Sequence, residues 1–313
     1  MSFTVVPLHN LSLDPGTRAE FGSGFILQDV PEWLKNEPIL KNLSWADRHD
    51  LSDAKHALVA EYEAAGIGEP DPSWKGKEPK SIQELRLESA ILANLALWLR
   101  QPSTVCFTSV FHATSWPIPG RAEKEATVQQ VERQTPLLCH PNDVENLVTK
   151  SHVVKAGQLH VVLCSIPREN PVWEAMRAGW AALTMSSQDR RYPFFWMGLE
   201  SLFGADDTTE ISYRLAQRIS FFLADTPDVA RELFQKVKIC YRMRSKIIHG
   251  RWKGDPAIDA VMADTEAIFR TVFRRLLENP EMLRTFLSKD RDKFLEDWVF
   301  SRYTDPPPYP RQK

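Results

Sequence analysis

The stretch Thr226–Gly250, TPDVARELFQKVKICYRMRSKIIHG, carries the start and stop signals of one long helix. Threonine at position 226 suits the N-cap, and Pro227 suits the first helical position, where a missing N–H leaves no hydrogen bond unmade. Gly250 suits the left-handed conformation that follows many helix C-termini. The sequence therefore predicts a helix from Pro227 to Ile248 or His249.

An arginine lies within the apolar stripe of this helix. At about 100° per residue, Arg244 falls near the middle of an apolar arc about 140° wide. A guanidinium stranded in a core is strongly destabilising, so Arg244 needs a buried acid, a water-filled cleft or a bound anion. The apolar residues of the arc are Leu233, Phe234, Val237, Cys240, Tyr241, Ile247 and Ile248.

A histidine and a run of basic residues follow the arginine. His249 lies about 140° around the helix from Arg244 and about 7.5 Å along its axis, so a straight helix does not aim both side chains at one point. A second helix, or a second copy of this one, can complete a cleft. From Lys236 to Gly254 there are seven Lys or Arg residues and no acid, with Tyr241 and Trp252 available for stacking on bases.

These features suggest phosphate binding and leave a structural alternative open. In the alternative, Arg244 pairs with an acid, His249 caps the helix end, and the basic residues form an ordinary solvated face. A histidine among fixed positive charges can also move protons at a phosphodiester, because its own proton exchanges near neutral pH.

The composition of the chain is that of a soluble globular protein: 313 residues, 43% hydrophobic, 26% charged and a net charge of −2. Nucleic acid binding therefore depends on a local patch and not on overall charge. Neither a basic, apolar leader nor an apolar run of membrane-spanning length is found. Four scattered cysteines predict buried free thiols in a reducing compartment. We expect a cytoplasmic protein with no membrane, metal or cofactor.

Residues 1–170 mix strand and helix signals, which predicts an α+β N-terminal domain. Helices are expected at Ser52–Ala65 and at Ser81–Arg100, where Ser81 and Glu84 have capping-box spacing. The predicted strands lie within FTVVPL (3–8), GSGFILQDV (22–30), TVCFTSVFHA (104–113) and QLHVVLCSI (158–166).

Residues 171–313 contain regular helix signals and predict an all-α domain. Besides the helix from Pro227, helices are expected from Pro171 towards Gln188, at Phe194–Phe203, from Asp207/Thr208 to Leu223, and from Asp255/Pro256 to Leu277, followed by shorter helices and a proline-rich tail. The aromatic residues Trp173, Trp180, Phe194, Phe195 and Trp196 are expected to fill the helical core, with a base-stacking platform as the alternative.

Two short motifs elsewhere are interpreted as turns. Gly22–Gly24 lacks the lysine and hydroxyl residue of a phosphate-binding loop, and CHPND at 139–143 has no partner at zinc spacing. Hydrolase motifs of the GxSxG and HExxH types are absent from the sequence.

The segments YPFFWMGLESLFGADDTTEISYRLAQRISFFLA (192–224) and YRMRSKIIHG (241–250) resemble the Apea-like branch of the HEPN superfamily. That branch has a helix ending in an lEsLf motif, an amphipathic helix, and a helix bearing YxxRsxivHG. The resemblance covers about residues 172–277. It implies a HEPN-type helical bundle that dimerises and brings two Arg-x4-6-His motifs to a shared groove.

The resemblance also implies a metal-independent endoribonuclease, in several relatives a toxin or an antiviral defence effector. Carried over by position, Arg244 and His249 are the motif residues, Ser245 is the polar residue after the arginine, and Glu200 is the acid of the lEsLf helix. The ribose 2′-OH would attack the phosphorus, with His249 as general acid or base and Arg244 holding the non-bridging oxygens. The residues expected to bind RNA around them are Tyr241, Arg242, Lys246, Arg251 and Lys253.

Some features of the family do not carry over. Arg251 stands where members controlled by nucleotidylation have a tyrosine, so that control is not expected here. Glu200 has an ordinary alternative as a helix acid. The whole domain also has two alternative functions. It could be a non-catalytic module that binds RNA or a nucleotide or forms a dimer interface, or the chain could be a purely structural partner protein. The first 170 residues would regulate the helical domain or recognise an unknown trigger.

Overall fold

The structure is a computed structural model, and it describes residues 2–32, 34, 40–41, 43–62, 81–113, 126–131, 147–204, 211–251 and 258–301. Contacts within the chain divide it into two units. The N-terminal unit comprises Met1–Leu137 and Glu145–Ser165, and the C-terminal unit comprises Leu138–Val144 and Ile166–Lys313. The predicted domain boundary, after residue 170, lies close to this division.

In the described part of the N-terminal unit, six strands form one antiparallel sheet in the order β2-β3-β4-β1-β5-β6. The central strand β1 pairs with β4 at Val5↔Val59 and with β5 at Thr4↔His112. The strands are β1 Ser2–Leu8, β2 Ala19–Glu20, β3 Phe25–Asp29, β4 His56–Tyr62, β5 Ser109–Ala113 and β6 Ala126–Gln130.

Helices accompany both faces of this sheet. They are α1 Trp45–Asp53, α2 Ile82–Arg100 and α3 Lys150–Ser165. Val5, Val59 and Phe111 lie on one face, in a core cluster that includes Leu51 of α1. The alternate residues face α2, whose predicted capping box is confirmed: Ser81 Oγ accepts from the Glu84 N–H, and the Glu84 carboxylate accepts from the Ser81 N–H.

Two predicted elements of the N-terminal unit are wrong. The predicted helix at Ser52–Ala65 is, over its described residues 52–62, the end of α1 followed by β4, where His56–Ala60 is buried without interruption; residues 63–65 lie outside the described part. A strand covered on both faces shows a continuous apolar run, which resembles a buried helix. The predicted strand at 158–166 belongs to α3, which buries Val153, Ala156, His160 and Leu163 at helical spacing.

The described part of the C-terminal unit contains seven helices and no strand. This confirms the prediction of an α+β region followed by a helical one. The helices are α4 Pro171–Thr184, α5 Gln188–Phe203, α6 Ile211–Leu223, α7 Pro227–Ile248, α8 Ile258–Leu277, α9 Pro280–Leu287 and α10 Arg291–Ser301. The predicted starts of α6 and α8 lie outside the described residues, and α5 begins earlier than predicted, with Pro193 inside it.

The termini of α7 are confirmed. Thr226 Oγ1 accepts from the Val229 N–H at 3.4 Å, and Pro227 is the first helical residue. Gly250 has φ +63°, a left-handed conformation that glycine adopts without the steric cost of a Cβ. The helix therefore ends where the sequence predicts, one residue before His249.

The predicted aromatic core and thiols are partly confirmed. Phe195 and Trp196 are fully buried, whereas Trp173, Trp180 and Phe194 are half-buried. Cys106 and Cys240 are buried free thiols; the prediction of burial is wrong for Cys164, which is exposed, and Cys139 and the rest of the CHPND motif lie outside the described residues. No described helix is long and apolar enough to span a membrane.

Two glycines let α8 pack closely against the antiparallel helices α4 and α5. A Cβ added to Gly179 would lie 2.7 Å from the Phe269 ring, and one added to Gly198 would lie 2.6 Å from the same ring. At Gly198 the added atom would also meet the Ala175 carbonyl oxygen at 3.0 Å. The ring of Phe269 thus fills a notch that only glycine leaves open.

We expect Gly198→Ala to lower the free energy of unfolding by about 1–3 kcal/mol, because overpacking forces the Phe269 ring or α4 to shift. Chemical denaturation measures the change. In a Phe269→Leu background the same substitution should cost less, since the ring atoms that it would meet at 2.6 Å are gone and the contact with the Ala175 carbonyl oxygen at 3.0 Å remains. An equal cost in both backgrounds would contradict the notch.

Candidate functional site

The partner of Arg244 is Glu200. Helices α5 and α7 run in the same direction, with Tyr192 donating to the Cys240 carbonyl at 2.7 Å and Glu200 lying beside Arg244 further along. Arg244 Nη2 lies 3.0 Å from Glu200 Oε1 and 3.1 Å from Oε2. The Arg244 and Glu200 side chains are 22% and 21% exposed, so the pair is largely desolvated without being closed to solvent.

Tyr241 supports this ion pair from one turn earlier on α7. Burial, followed by the charge of Glu200, raises the pKa of Tyr241 to about 12, so its hydroxyl stays protonated and donates to Glu200. The Arg244 guanidinium lies 5.5 Å from the centre of the Tyr241 ring, and the Trp196 and Tyr241 ring centres are 5.0 Å apart with the two rings nearly perpendicular. Tyr241 is buried, so the predicted stacking on bases does not fit its position.

Glu200 does not use the whole guanidinium of Arg244. Both short contacts involve Nη2, whereas Nε is buried and has no hydrogen-bond partner among the described residues. An anion that reaches Arg244 therefore either shares the guanidinium with Glu200 or displaces the carboxylate. A phosphate oxygen is chemically suited to either arrangement.

His249 is the C-cap residue of α7, and its side chain is exposed. Its backbone N–H donates to the Ser245 carbonyl at 3.1 Å, and the Arg251 N–H donates to the Lys246 carbonyl at 2.8 Å. Within the described part of the chain, no hydrogen bond or ion pair joins the side chains of His249 and Arg244. In a single copy the His249 side chain therefore lies in solvent, whereas the Arg244 side chain lies against α5.

The remaining predicted residues form a mixed surface. Arg242, Lys246 and Arg251 are exposed, Ser245 is half-buried, and Lys253 and Trp252 lie outside the described residues. Of the six positive charges of this run that the structure describes, two have acidic partners: Arg244 has Glu200, and Lys236 has Asp264 at 2.9 Å. The cationic surface is therefore narrower than the sequence indicates.

The role of Tyr241 as a hydrogen-bond donor to Glu200 was not predicted from the sequence. The available signal was its place on the same stripe, three residues before an arginine in need of an acid. Trp196 and Glu200, one turn apart on α5, are the matching residues of the other helix. Only the packing of α5 beside α7 joins the two patterns.

We expect Glu200→Gln to lower the free energy of unfolding by about 1–3 kcal/mol, because it leaves a mostly buried guanidinium without its counterion. Glu174→Gln is the matched control: Glu174 pairs with Arg177 at 3.3 Å, but both side chains are more than half exposed. Such surface pairs contribute about 0–1 kcal/mol. Urea denaturation of the two variants should separate them clearly; equal losses would contradict a structural role for the Glu200–Arg244 pair.

Comparisons of the chain with protein-family models, with curated proteins and with solved structures found no match. The resemblance to the HEPN superfamily therefore stays a prediction.

Proposed function

We propose that this protein is a metal-independent endoribonuclease of the HEPN type. The observation that carries the proposal is the placement of Arg244 on α7. Its guanidinium is held by Glu200 of α5, with Tyr241 of α7 donating to that carboxylate, and it lies five residues before the exposed His249 at the end of α7. Exposed Arg242, Lys246 and Arg251 lie around that end and suit an RNA backbone.

In the proposed reaction the ribose 2′-oxygen attacks the adjacent phosphorus while the bond from phosphorus to the 5′-oxygen breaks. The products are a 2′,3′-cyclic phosphate and a 5′-hydroxyl. His249 takes the proton from the 2′-OH or gives one to the leaving 5′-oxygen. Arg244 stabilises the negative charge that grows on the non-bridging oxygens. Glu200 and Tyr241 position the guanidinium.

Two copies of the chain are part of the proposal. Met197, one turn before Glu200, and Ile248, one turn after Arg244, are large apolar side chains about half exposed on either side of the ion pair. A second copy that covers them would bring a second His249 to the groove. One imidazole could then act as base and the other as acid. A role in toxicity or antiviral defence, with the N-terminal unit as regulator, completes the proposal.

The test is incubation of the purified protein with total RNA in EDTA, followed by analysis of the ends of the products. We expect cleavage without metal that leaves 2′,3′-cyclic phosphates. Products with 3′-hydroxyl ends, or cleavage that stops in EDTA, would contradict the proposed chemistry.

One observation favours a second candidate, a non-catalytic RNA-binding module. Glu200 already neutralises Arg244, as in a purely structural ion pair. This candidate predicts RNA binding that weakens with salt, persists in His249→Ala, and is accompanied by no cleaved product. Gel-shift and cleavage assays on the same samples distinguish it from the nuclease.

A further inference from the structure

One face of α7 leads away from His249 and carries cations and an aromatic ring. At about 100° per residue it comprises, within an arc about 80° wide, Phe234, Lys238, Arg242, Ser245 and His249. With a rise of about 1.5 Å per residue, Arg242 lies about 10 Å and Lys238 about 16 Å along the helix axis from His249. This surface, the His249 face, therefore continues well beyond the proposed site of cleavage.

Phe234 of this face contacts both an exposed tyrosine of α6 and the lysine one turn further along α7. The Tyr213 and Phe234 ring centres are 5.3 Å apart with an interplanar angle of 75°, and Lys238 Nζ lies 5.3 Å from the Phe234 ring centre. Tyr213 is 48% exposed, whereas Phe234 and Lys238 are half-buried. An open aromatic ring and a cation thus share one neighbour at the surface.

The cations of the His249 face are not neutralised within the described part of the chain. Neither Lys238 nor Arg242 has an ion-pair partner among the residues that the structure describes. Helix α6 contains no acidic residue, and the acids of α7, Asp228 and Glu232, lie in its first two turns. Asp228 there pairs with Arg231 at 3.1 Å. The His249 face therefore keeps a positive charge beside the exposed tyrosine.

A cation next to an open aromatic ring suits a nucleotide whose base is unpaired. Bases stack on aromatic side chains with little regard to sequence, because every base has a π face. Lysine and arginine contact the phosphates and release their counterions. A base inside a duplex is covered by its neighbours on both faces, so a paired base does not reach Tyr213.

We propose that Tyr213 and Lys238 form a second nucleotide subsite, several nucleotides away from the bond that is cleaved. The base stacks on the Tyr213 ring, its phosphate lies at Lys238, and Arg242 contacts a phosphate between this subsite and His249. The inference rests on the proposed function, since it takes RNA as the ligand of α7. It adds that the substrate is unpaired where it meets α6.

The test measures RNA binding by the full chain carrying His249→Ala, in which no cleavage is expected. The ligands are a short oligoadenylate, a ribose-phosphate oligomer of the same length without bases, and the duplex of the oligoadenylate with oligouridylate. Adding Tyr213→Leu, which keeps an apolar contact with Phe234, should weaken oligoadenylate binding about 5- to 100-fold. Binding of the other two ligands should change little, because neither offers a free base. Equal effects on all three ligands would overturn the subsite.

Further variants separate the ring from the charge. Tyr213→Phe should bind oligoadenylate like the parent, because the ring is kept. Lys238→Gln should weaken binding of every ligand and lower the slope of log affinity against log salt concentration by about 0.7 for the oligoadenylate, the contribution of one phosphate contact. Trp45→Ala, at an exposed aromatic residue of the N-terminal unit, is the control. A loss in Trp45→Ala equal to that in Tyr213→Leu would contradict a specific subsite.

The subsite and the nuclease can fail separately. Cleavage by the wild type, together with an oligoadenylate affinity that Tyr213→Leu leaves unchanged, would overturn the subsite alone. Binding that depends on Tyr213, without any cleavage by the wild type, would overturn the nuclease alone and support the subsite in an RNA-binding module. If Tyr213→Leu altered the sedimentation of the protein and not its affinity for RNA, the His249 face would be a contact between copies, and the subsite would be wrong.

Discussion

Replacing His249 by alanine is expected to reduce the rate constant of RNA cleavage by about 10²–10⁴-fold, the usual contribution of a general acid or base. RNA affinity and the free energy of unfolding should change little, because the side chain is exposed and the cap uses only the backbone of this residue. Single-turnover cleavage of a labelled RNA measures the effect. His49→Ala, at an exposed histidine of α1, is the control.

The arginine of the same motif should behave differently. Arg244→Ala is expected to reduce cleavage by about 10²–10³-fold, as when one donor to a developing oxyanion is removed, and to destabilise the protein as well. Arg231→Ala is the control on the same helix, since Arg231 pairs with Asp228 on the open surface. If all three variants, His249→Ala, Arg244→Ala and Arg231→Ala, cleaved RNA like the wild type, the activity would belong to another site or to a contaminant.

The second large effect is acid-induced unfolding of the N-terminal unit. Burial lowers the pKa of both His112 and His160 from 6.5 to about 4. As the pH falls below 6.5, the unfolded chain takes up protons that the folded one refuses, so stability is full above pH 6.5 and is lost down to about pH 4. Between pH 6.5 and 4 each histidine should lower the free energy of unfolding by about 1.4 kcal/mol per pH unit, which is about 3 kcal/mol for each and roughly twice that for the two together.

Hydrogen exchange followed by mass spectrometry can resolve this effect by region. Amides of β1 and β4 should lose protection steeply between pH 6 and 4.5, after correction for the intrinsic exchange rate. Those of α5 and α8 should change much less, because the only histidine in the described part of the C-terminal unit, His249, is exposed. The slope of the unfolding free energy against pH gives the number of protons that the chain takes up on unfolding. In His112→Asn this number should fall by about one, whatever the stability of the variant at pH 7. An unchanged slope would mean that His112 is protonated in the folded state.

The sequence predicted elements whose signals are local. The ends of α7 follow from Thr226, Pro227 and Gly250, and the start of α2 from its capping box, because caps depend on residues within one turn of each other. It failed for β4 and α3, whose identity depends on what covers them. The run from His56 to Ala60 is a strand because layers lie on both of its faces, which no local pattern reports.

The candidate site was predicted to a similar degree. The position of Arg244 on an apolar stripe predicts that its charge is compensated. The sequence does not decide whether a buried acid, a water-filled cleft or a bound anion does so; the packing of α5 beside α7 shows that the partner is an acid, Glu200. Glu200 was named from a family resemblance and not from spacing, since it lies 44 residues earlier in the chain. Tyr241 was assigned to RNA binding because its burial could not be predicted. That burial depends on packing against Trp196, which is a contact between two helices.

Helix α5 carries both the glycine that admits Phe269 and, two residues later, the glutamate that holds Arg244. A displacement of α5 by a few tenths of an ångström at the notch would therefore also move the Glu200 carboxylate relative to the Arg244 guanidinium, because Gly198 and Glu200 lie within one helical turn. Random mutagenesis scored for loss of the proposed RNA cleavage should recover changes at Gly179, Gly198 and Phe269, which lie away from the proposed RNA-binding residues. Such substitutions would identify residues that position Arg244 indirectly, through the packing of α5. Second-site substitutions that restore activity should cluster on α4 and α8, the helices that contact the notch.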